Sequence, residues 1–402
     1  MTRSNDVSKW AARSAALAQM GAGLGAELAD VVERMHGSIA QLPSPLAELE
    51  REHTRGITGF VYGWVKTGMS AAHWGLRHAA SSLSGLDQDD EDWMPVRAAI
   101  NGVCGDALAD QANPLAIEMA FEGEQVADGV TDGAADRADS NTLLLFVHGL
   151  CMSEHGWREP SHLMARTRMA EQLNARIAYL RYNTGLHISE NGERLAELLE
   201  AYSAADQRIV IVGHSMGGLI TRSACHYAQQ AGHQWQQKLS HVVCLGTPHN
   251  GAPLERLGNF ANTLLKTTPY TKPLARLGNI RSAGICDLRH GNLLHSDWRE
   301  VSDPDHYDDC RTPVPLLPEV NYLLVAGTRS QDIPENPFEA KHDLLVTVAS
   351  AWAQSHKPSR SLTGDNIQRE LLANTNHMDL LWDAEVYHLV SDWLASSAKA
   401  EA

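Results

Sequence analysis

Residues 208–221 read Arg-Ile-Val-Ile-Val-Gly-His-Ser-Met-Gly-Gly-Leu-Ile-Thr, and the fold is decided by this stretch. Residues 208–212 form a short β-branched run, as expected of a parallel strand covered on both faces. A helical pattern begins at Gly218, so Gly213-His214-Ser215-Met216-Gly217 must turn the chain sharply from strand to helix. A serine on such a turn sits in a strained backbone conformation with its hydroxyl presented, and glycines two residues to either side make room for the close strand and helix. The helix that follows directs its amino-terminal dipole at any negative charge developing there. Ser215 is therefore the candidate nucleophile, with a purely structural turn as the competing reading.

Similar short apolar runs recur at 143–147, 177–182, 241–245 and 322–326, with helical patterns at 192–202 and 218–230 between them. This alternation predicts an α/β fold with a doubly wound, mostly parallel sheet. Residues 253–318 break the rhythm with seven prolines, Pro253, Pro269, Pro273, Pro304, Pro313, Pro315 and Pro318, and read as a lid-like insertion. The first 135 residues are rich in Ala, Leu and Gly at helical spacing and show no strand-like alternation, which predicts several helices. Gly56, Gly59, Gly63, Gly68 and Gly75, set among aromatic residues, would let those helices approach closely or form a face that docks on a lipid or a partner. The acidic run 87–92 and the polar stretch 128–141 read as linkers. The expected division is a helical extension over 1–140 and a catalytic domain over 141–398.

Composition narrows the function. The 402 residues are 43% hydrophobic and 20% charged, enough apolar material for a sizeable core. A net charge of −16, from 33 Lys plus Arg against 49 Asp plus Glu, opposes binding to nucleic acid or anionic lipid. Six scattered cysteines without a CxxC pair read as reduced, largely buried thiols rather than a disulfide framework. Asp6 and Arg13 interrupt what would be the basic and apolar parts of a signal peptide, so a cytoplasmic location is expected. The greasy stretch 57–80 contains Lys66, His73, Arg77 and His78, which argues against a spanning helix of roughly 20 mostly apolar residues.

A second turn lies upstream, where the run 143–147 ends in His148-Gly149-Leu150. A glycine at a strand exit can present a backbone N–H, so Leu150 and Met216 are the expected oxyanion-hole donors. At four places the chain resembles the α/β-hydrolases of lipase and esterase type, and most closely the bacterial GPI-inositol-deacylase (PGAP1-like) lipases. These are Phe146-Val147-His148-Gly149-Leu150; Gly213-His214-Ser215-Met216-Gly217-Gly218; Leu245-Gly246-Thr247-Pro248-His249-Asn250-Gly251-Ala252; and Asp343-Leu344-Leu345-Val346-Thr347-Val348-Ala349-Ser350-Ala351. The resemblance covers about residues 140–395 and implies ester hydrolysis without metal or organic cofactor; it does not carry a substrate with it.

This fold orders its catalytic residues as Ser, then Asp or Glu, then His. Asp343 is the preferred acid, with Asp332 as rival and Asp379 too close to the base. His377, in a loop ahead of the last helix, is the preferred base over His388, which falls inside that helix. Trp157, Leu254 and Leu257 are expected to wall an apolar acyl cleft on a small-molecule ester or lipid. Asp287, His290, His295, Asp297, Asp303, Asp305, His306, Asp308 and Asp309 concentrate polar ligands without HExxH or EF-hand spacing, so no metal is expected. Gly21-Ala22-Gly23-Leu24-Gly25 lacks phosphate-loop spacing and reads as a helix break. Two other functions fit the same residues: a catalytically silent hydrolase-fold protein that docks a partner or lipid surface, and an acyltransferase using the same nucleophile.

Overall fold

The computed structural model describes residues 13, 16, 17, 93–123, 141–158, 160–203, 207–253, 282–299, 311–334 and 336–400. The chain divides into two units, Met1–Ile117 with Gly258–Ser282, and Glu118–Leu257 with Ala283–Ala402. The glycine-spaced stretch 56–75, the expected helix break at Gly21 and most of the expected lid lie outside the described residues.

In the first unit, helix α1 (Met94–Asp110) anchors the chain that follows it. The buried Arg97 donates from Nε to the Leu115 carbonyl (3.0 Å) and from one terminal nitrogen to Pro114 (3.0 Å) and Ala116 (2.8 Å). Asn101 adds bonds to the Leu115 carbonyl and the Ile117 amide. These two side chains satisfy the backbone of 114–117, which has no regular secondary structure to pair with.

The second unit is built on seven strands, β1 (Ala120–Gly123), β2 (Thr142–Val147), β3 (Ala175–Arg181), β4 (Arg208–His214), β5 (Leu239–Leu245), β6 (Asn321–Gly327) and β7 (Ile367–Leu372). Their order is β1-β3-β2-β4-β5-β6-β7, with β1 antiparallel and every other pair parallel. The five expected runs are β2 to β6. In β2 all six residues are buried, as a central parallel strand requires. β1 falls inside the stretch expected to be helical: four partly exposed residues are too few to show a period. β7 also escaped notice, because its Gln368, Arg369 and Glu370 interrupt any apolar run.

Side chains alternate between the two faces of the sheet. Leu144, Phe146, Val210, Val212, Val243, Leu245, Leu323 and Val325 share one core with Trp157, Met169, Val386, Val390 and Leu394, so helices α2 (Pro160–Gln172) and α9 (Ala384–Ala400) cover that face. Helices α3 (Ile188–Tyr202) and α4 (Met216–Ala231) pack on each other. Each fully buried aliphatic or aromatic side chain contributes about 1.5–3 kcal/mol. The remaining helices, α5 (Ala283–His290), α6 (Ser296–Arg299), α7 (Val348–Ala351) and α8 (Asp379–Trp382), are short and belong to the connections. Among the described residues no helix is long and apolar enough to cross a membrane.

An ion pair ties the edge of the sheet to the loop after β2. Arg181 donates to the fully buried Glu154 carboxylate through Nε (2.7 Å) and a terminal nitrogen (2.6 Å), and reaches Glu122 on β1 at 3.1 Å. Burial pushes the Glu154 carboxyl up, but the Arg181 guanidinium outweighs it and holds the group below its ordinary value. The pair's contribution is therefore full at neutral pH and lost as pH falls through the acid range. Arg181→Leu strands a buried carboxylate, and equilibrium urea unfolding at neutral pH should register a loss of about 3–5 kcal/mol.

Candidate active site

β4 ends at His214 and α4 begins at Met216, so Ser215 alone makes the turn. It does so at φ 55°, ψ −120°, a conformation L-residues avoid, at a cost of order 1–3 kcal/mol. Its amide donates to the Leu245 carbonyl at the end of β5 (2.8 Å), and its carbonyl accepts from Gly218 (3.2 Å). The flanking glycines are needed for space: a Cβ on Gly213 would lie 2.7 Å from the Gly218 amide nitrogen, and one on Gly217 would lie 2.3 Å from the Val147 carbonyl oxygen. The Ser215 hydroxyl, 1% exposed, hydrogen-bonds to no protein group.

Asp343 and His377 come from the connections after β6 and β7. Leu344 takes a left-handed φ of 94°, which turns the chain so that the Leu345 and Val346 amides both donate to Asp343 Oδ1, at 2.9 and 2.7 Å. The other oxygen, Oδ2, accepts from His377 Nδ1 at 2.7 Å, and the His377 amide donates to the Asp343 carbonyl at 2.8 Å. The carboxylate thus fixes the ring and its tautomer, with the proton on Nδ1. Gly246 touches this ring: a Cβ there would stand 3.1 Å from His377 Cε1 and Nδ1. Ser215 is hung from Leu245 and His377 lies against Gly246, so the end of β5 holds both.

Two further side chains, given no role from sequence, hold the arrangement. His214 donates from Nε2 to the His377 carbonyl (3.0 Å), and its ring lies 4.8 Å from that of His377. Burial, reinforced by the neighbouring His377, lowers its pKa to about 3, so it holds the loop as a neutral imidazole. The Tyr182 hydroxyl donates to the His148 carbonyl at 2.5 Å and stacks on the His148 ring, pinning the turn that carries Leu150. Neither had a distinctive signal: His214 occupies a variable place in the elbow pattern, and Tyr182 closes an apolar run.

The rivals sit elsewhere. Asp332 and His388 are exposed, and Asp379 caps its own turn by accepting from the Asn376 amide (2.8 Å). Met216 opens α4, so its N–H lies outside the helical hydrogen-bond ladder. Gly149, next to Leu150, approaches Ser215 so closely that a Cβ would lie 3.0 Å from the serine Cβ. Trp157 corrects the expectation of a cleft wall. It is fully buried in the core, tilted against Phe146 (4.9 Å between centroids) and edge-on to His214 (6.4 Å), because the short helix Glu154–Trp157 folds back under β2. Leu254 and Leu257 lie outside the described residues.

The polar stretch after residue 286 is used structurally where it is described. Asp287 accepts from the Ile188 amide and His187 Nδ1 and so caps α3, while Asp297 accepts from the Leu293, Leu294 and Thr312 amides. His295 pairs with Glu193, and no group of three metal-ligating side chains occurs among the described residues. Asp303, Asp305, His306, Asp308 and Asp309 lie outside them. Cys151, beside the oxyanion turn, is buried and its thiol is pushed up to about 12, so it is not a competing nucleophile.

This sheet order, with the strained serine after β4 and the Asp–His pair beyond β6 and β7, defines an α/β-hydrolase fold. Residues 140–308 match the PGAP1-like alpha/beta domain family. Similar solved structures include the mature lipase BlEst2 of Bacillus licheniformis, at 17% identity over 69% of this chain and 98% of that one, with a TM-score of 0.40. The esterase RhEst1 of a Rhodococcus species is 13% identical over 70% of this chain and 96% of that one (TM-score 0.39). A thermophilic esterase from Thermogutta terrifontis is 14% identical over 70% and 95% (TM-score 0.38). No curated protein matches the chain.

Because backbone atoms bound the space at Gly213, Gly213→Ala forces β4 and α4 apart. Thermal unfolding should show a destabilisation of about 1–3 kcal/mol.

Proposed function

We propose that the protein is a serine hydrolase that cleaves carboxylic esters through Ser215, His377 and Asp343. The observation that carries this reading is the 2.7 Å Asp343–His377 bond, which supports a base for the serine held at positive φ. In the first half-reaction His377 Nε2 takes the Ser215 proton as the hydroxyl oxygen bonds to the ester carbonyl carbon. The Leu150 and Met216 amides stabilise the resulting oxyanion, each worth about 2.7–4 kcal/mol. His377 then protonates the departing alkoxide, the carbon–oxygen bond breaks, and an acyl-enzyme remains. Water, deprotonated by the same ring, releases the acid and restores the serine. Asp343 stabilises the imidazolium throughout.

The test is hydrolysis of aryl esters of graded chain length, together with labelling by a fluorophosphonate. Ser215→Ala should abolish labelling and lower kcat/KM by roughly 10⁴-fold or more, while the fold persists by circular dichroism. Folded parent protein that takes no label, or turnover that survives in Ser215→Ala, would overturn the assignment. Asp343→Asn should lower kcat by roughly 10³–10⁴-fold, since an amide NH₂ facing Nδ1 reverses the tautomer preference. Adding alcohol or amine acceptors separates hydrolysis from acyl transfer, and hydrolysis predicts free acid as the main product.

A further inference from the structure

A cavity of about 540 Å³ lies apart from Ser215, Asp343 and His377, none of which lines it. It reaches Pro318 and Asn366, the residues leading into β6 and β7, whereas the candidate triad gathers where the strands leave the sheet. Its lining includes Arg222, His249, Arg311 and Arg360.

Arg222 stands two turns into α4 and is only 7% exposed. One terminal nitrogen donates to the Val314 carbonyl (2.8 Å) and the other to His249 Nδ1 (3.3 Å). A guanidinium has no acceptor, so Nδ1 must accept. His249, 4% exposed, is kept neutral first by burial and then by Arg222 and Arg369, so its proton is on Nε2. Two buried donors are thereby left over: neither the Arg222 Nε–H nor the His249 Nε2–H has a hydrogen-bond partner. Unmet buried donors are costly, and acceptors, charged ones above all, answer them.

Nearby charge agrees. Arg311 donates to the His249 carbonyl at 3.2 Å, and Arg360 donates to the Arg311 carbonyl. Among the described residues two carboxylates also line the cavity. Asp297 is committed to the amides of Leu293, Leu294 and Thr312, and Asp365 is exposed. Against the chain's net charge of −16, the described lining residues carry three arginines and two carboxylates. The volume falls in the range of about 300–1,000 Å³ typical of small-molecule sites, larger than an inorganic anion needs.

We infer that this cavity binds a small molecule through an oxyanion group, phosphate or carboxylate, received by Arg222 and His249 with Arg311 and Arg360 supplying further positive charge. The inference does not depend on the role proposed for Ser215. It is tested by isothermal titration of the full chain with inorganic phosphate, with acetate and with dihexanoyl phosphatidate below its micelle concentration. At least one titrant should bind saturably at one site per chain. Arg222→Gln and Arg360→Gln should each weaken that binding about tenfold or more, and Ser215→Ala should leave it unchanged. If Arg222→Gln fails to fold, the more peripheral Arg360→Gln decides. Binding of phosphate or acetate alone assigns a free-anion site, and binding of phosphatidate only assigns a headgroup subsite; both support the inference. Absence of saturable binding by all three, binding that the arginine substitutions leave unaltered, or binding lost in Ser215→Ala, overturns it.

Discussion

One residue separates the last strand position of β4 from the first helical position of α4, and the geometry of the whole site follows from that economy. A reversal so abrupt requires positive φ at Ser215 and bare backbone at Gly213 and Gly217, since helix and strand come within contact of each other there. The strain persists because neighbouring structure over-determines it. The Ser215 amide is committed to β5, and the sheet holds β5 in register with β4 over five consecutive residue pairs, from Val210 with His241 to His214 with Leu245. The same strand end meets His377 through Gly246, so Ser215 and His377 are both held by a single rigid element rather than by two independent loops.

Polar side chains set the loops around this frame. His377 is held at three points: its own amide and Nδ1 by Asp343, and its carbonyl by His214. Asp343 in turn is fixed by two amides of its own loop. Each of these groups is buried, where an unmatched polar atom is expensive, so the network has few alternative arrangements.

The central architecture was legible because β2 to β6 are runs whose burial leaves no room for polar residues, and because the elbow at Ser215 needs glycine at fixed offsets. The pairing of Asp343 with His377 was legible through chain order and through the loop character of their surroundings. What could not be read was whatever depends on partners remote in sequence. Glu122 and Arg181 meet only after β1 has folded onto β3, and nothing local marks Ala120–Gly123 as a strand. Trp157 was expected to wall a cleft because it lies near the oxyanion turn. The burial of Glu154 against Arg181 reverses that expectation and draws the indole into the core. His249 and Arg222 gave no sign of meeting, 27 residues apart on a loop and a helix.

The far margin of the sheet has its own consequence. On β7 the Glu370 carbonyl receives the Trp352 indole N–H at 3.0 Å, and Arg369 extends its guanidinium to the carbonyls of Trp352 and Leu362. The segment 352–362 is thereby fastened to the last strand through Glu370 and the Arg369 side chain. At the opposite margin β1 is only four residues long. A very short strand at one margin and a segment fastened to the other both limit the length of edge that a sheet offers for pairing with another copy.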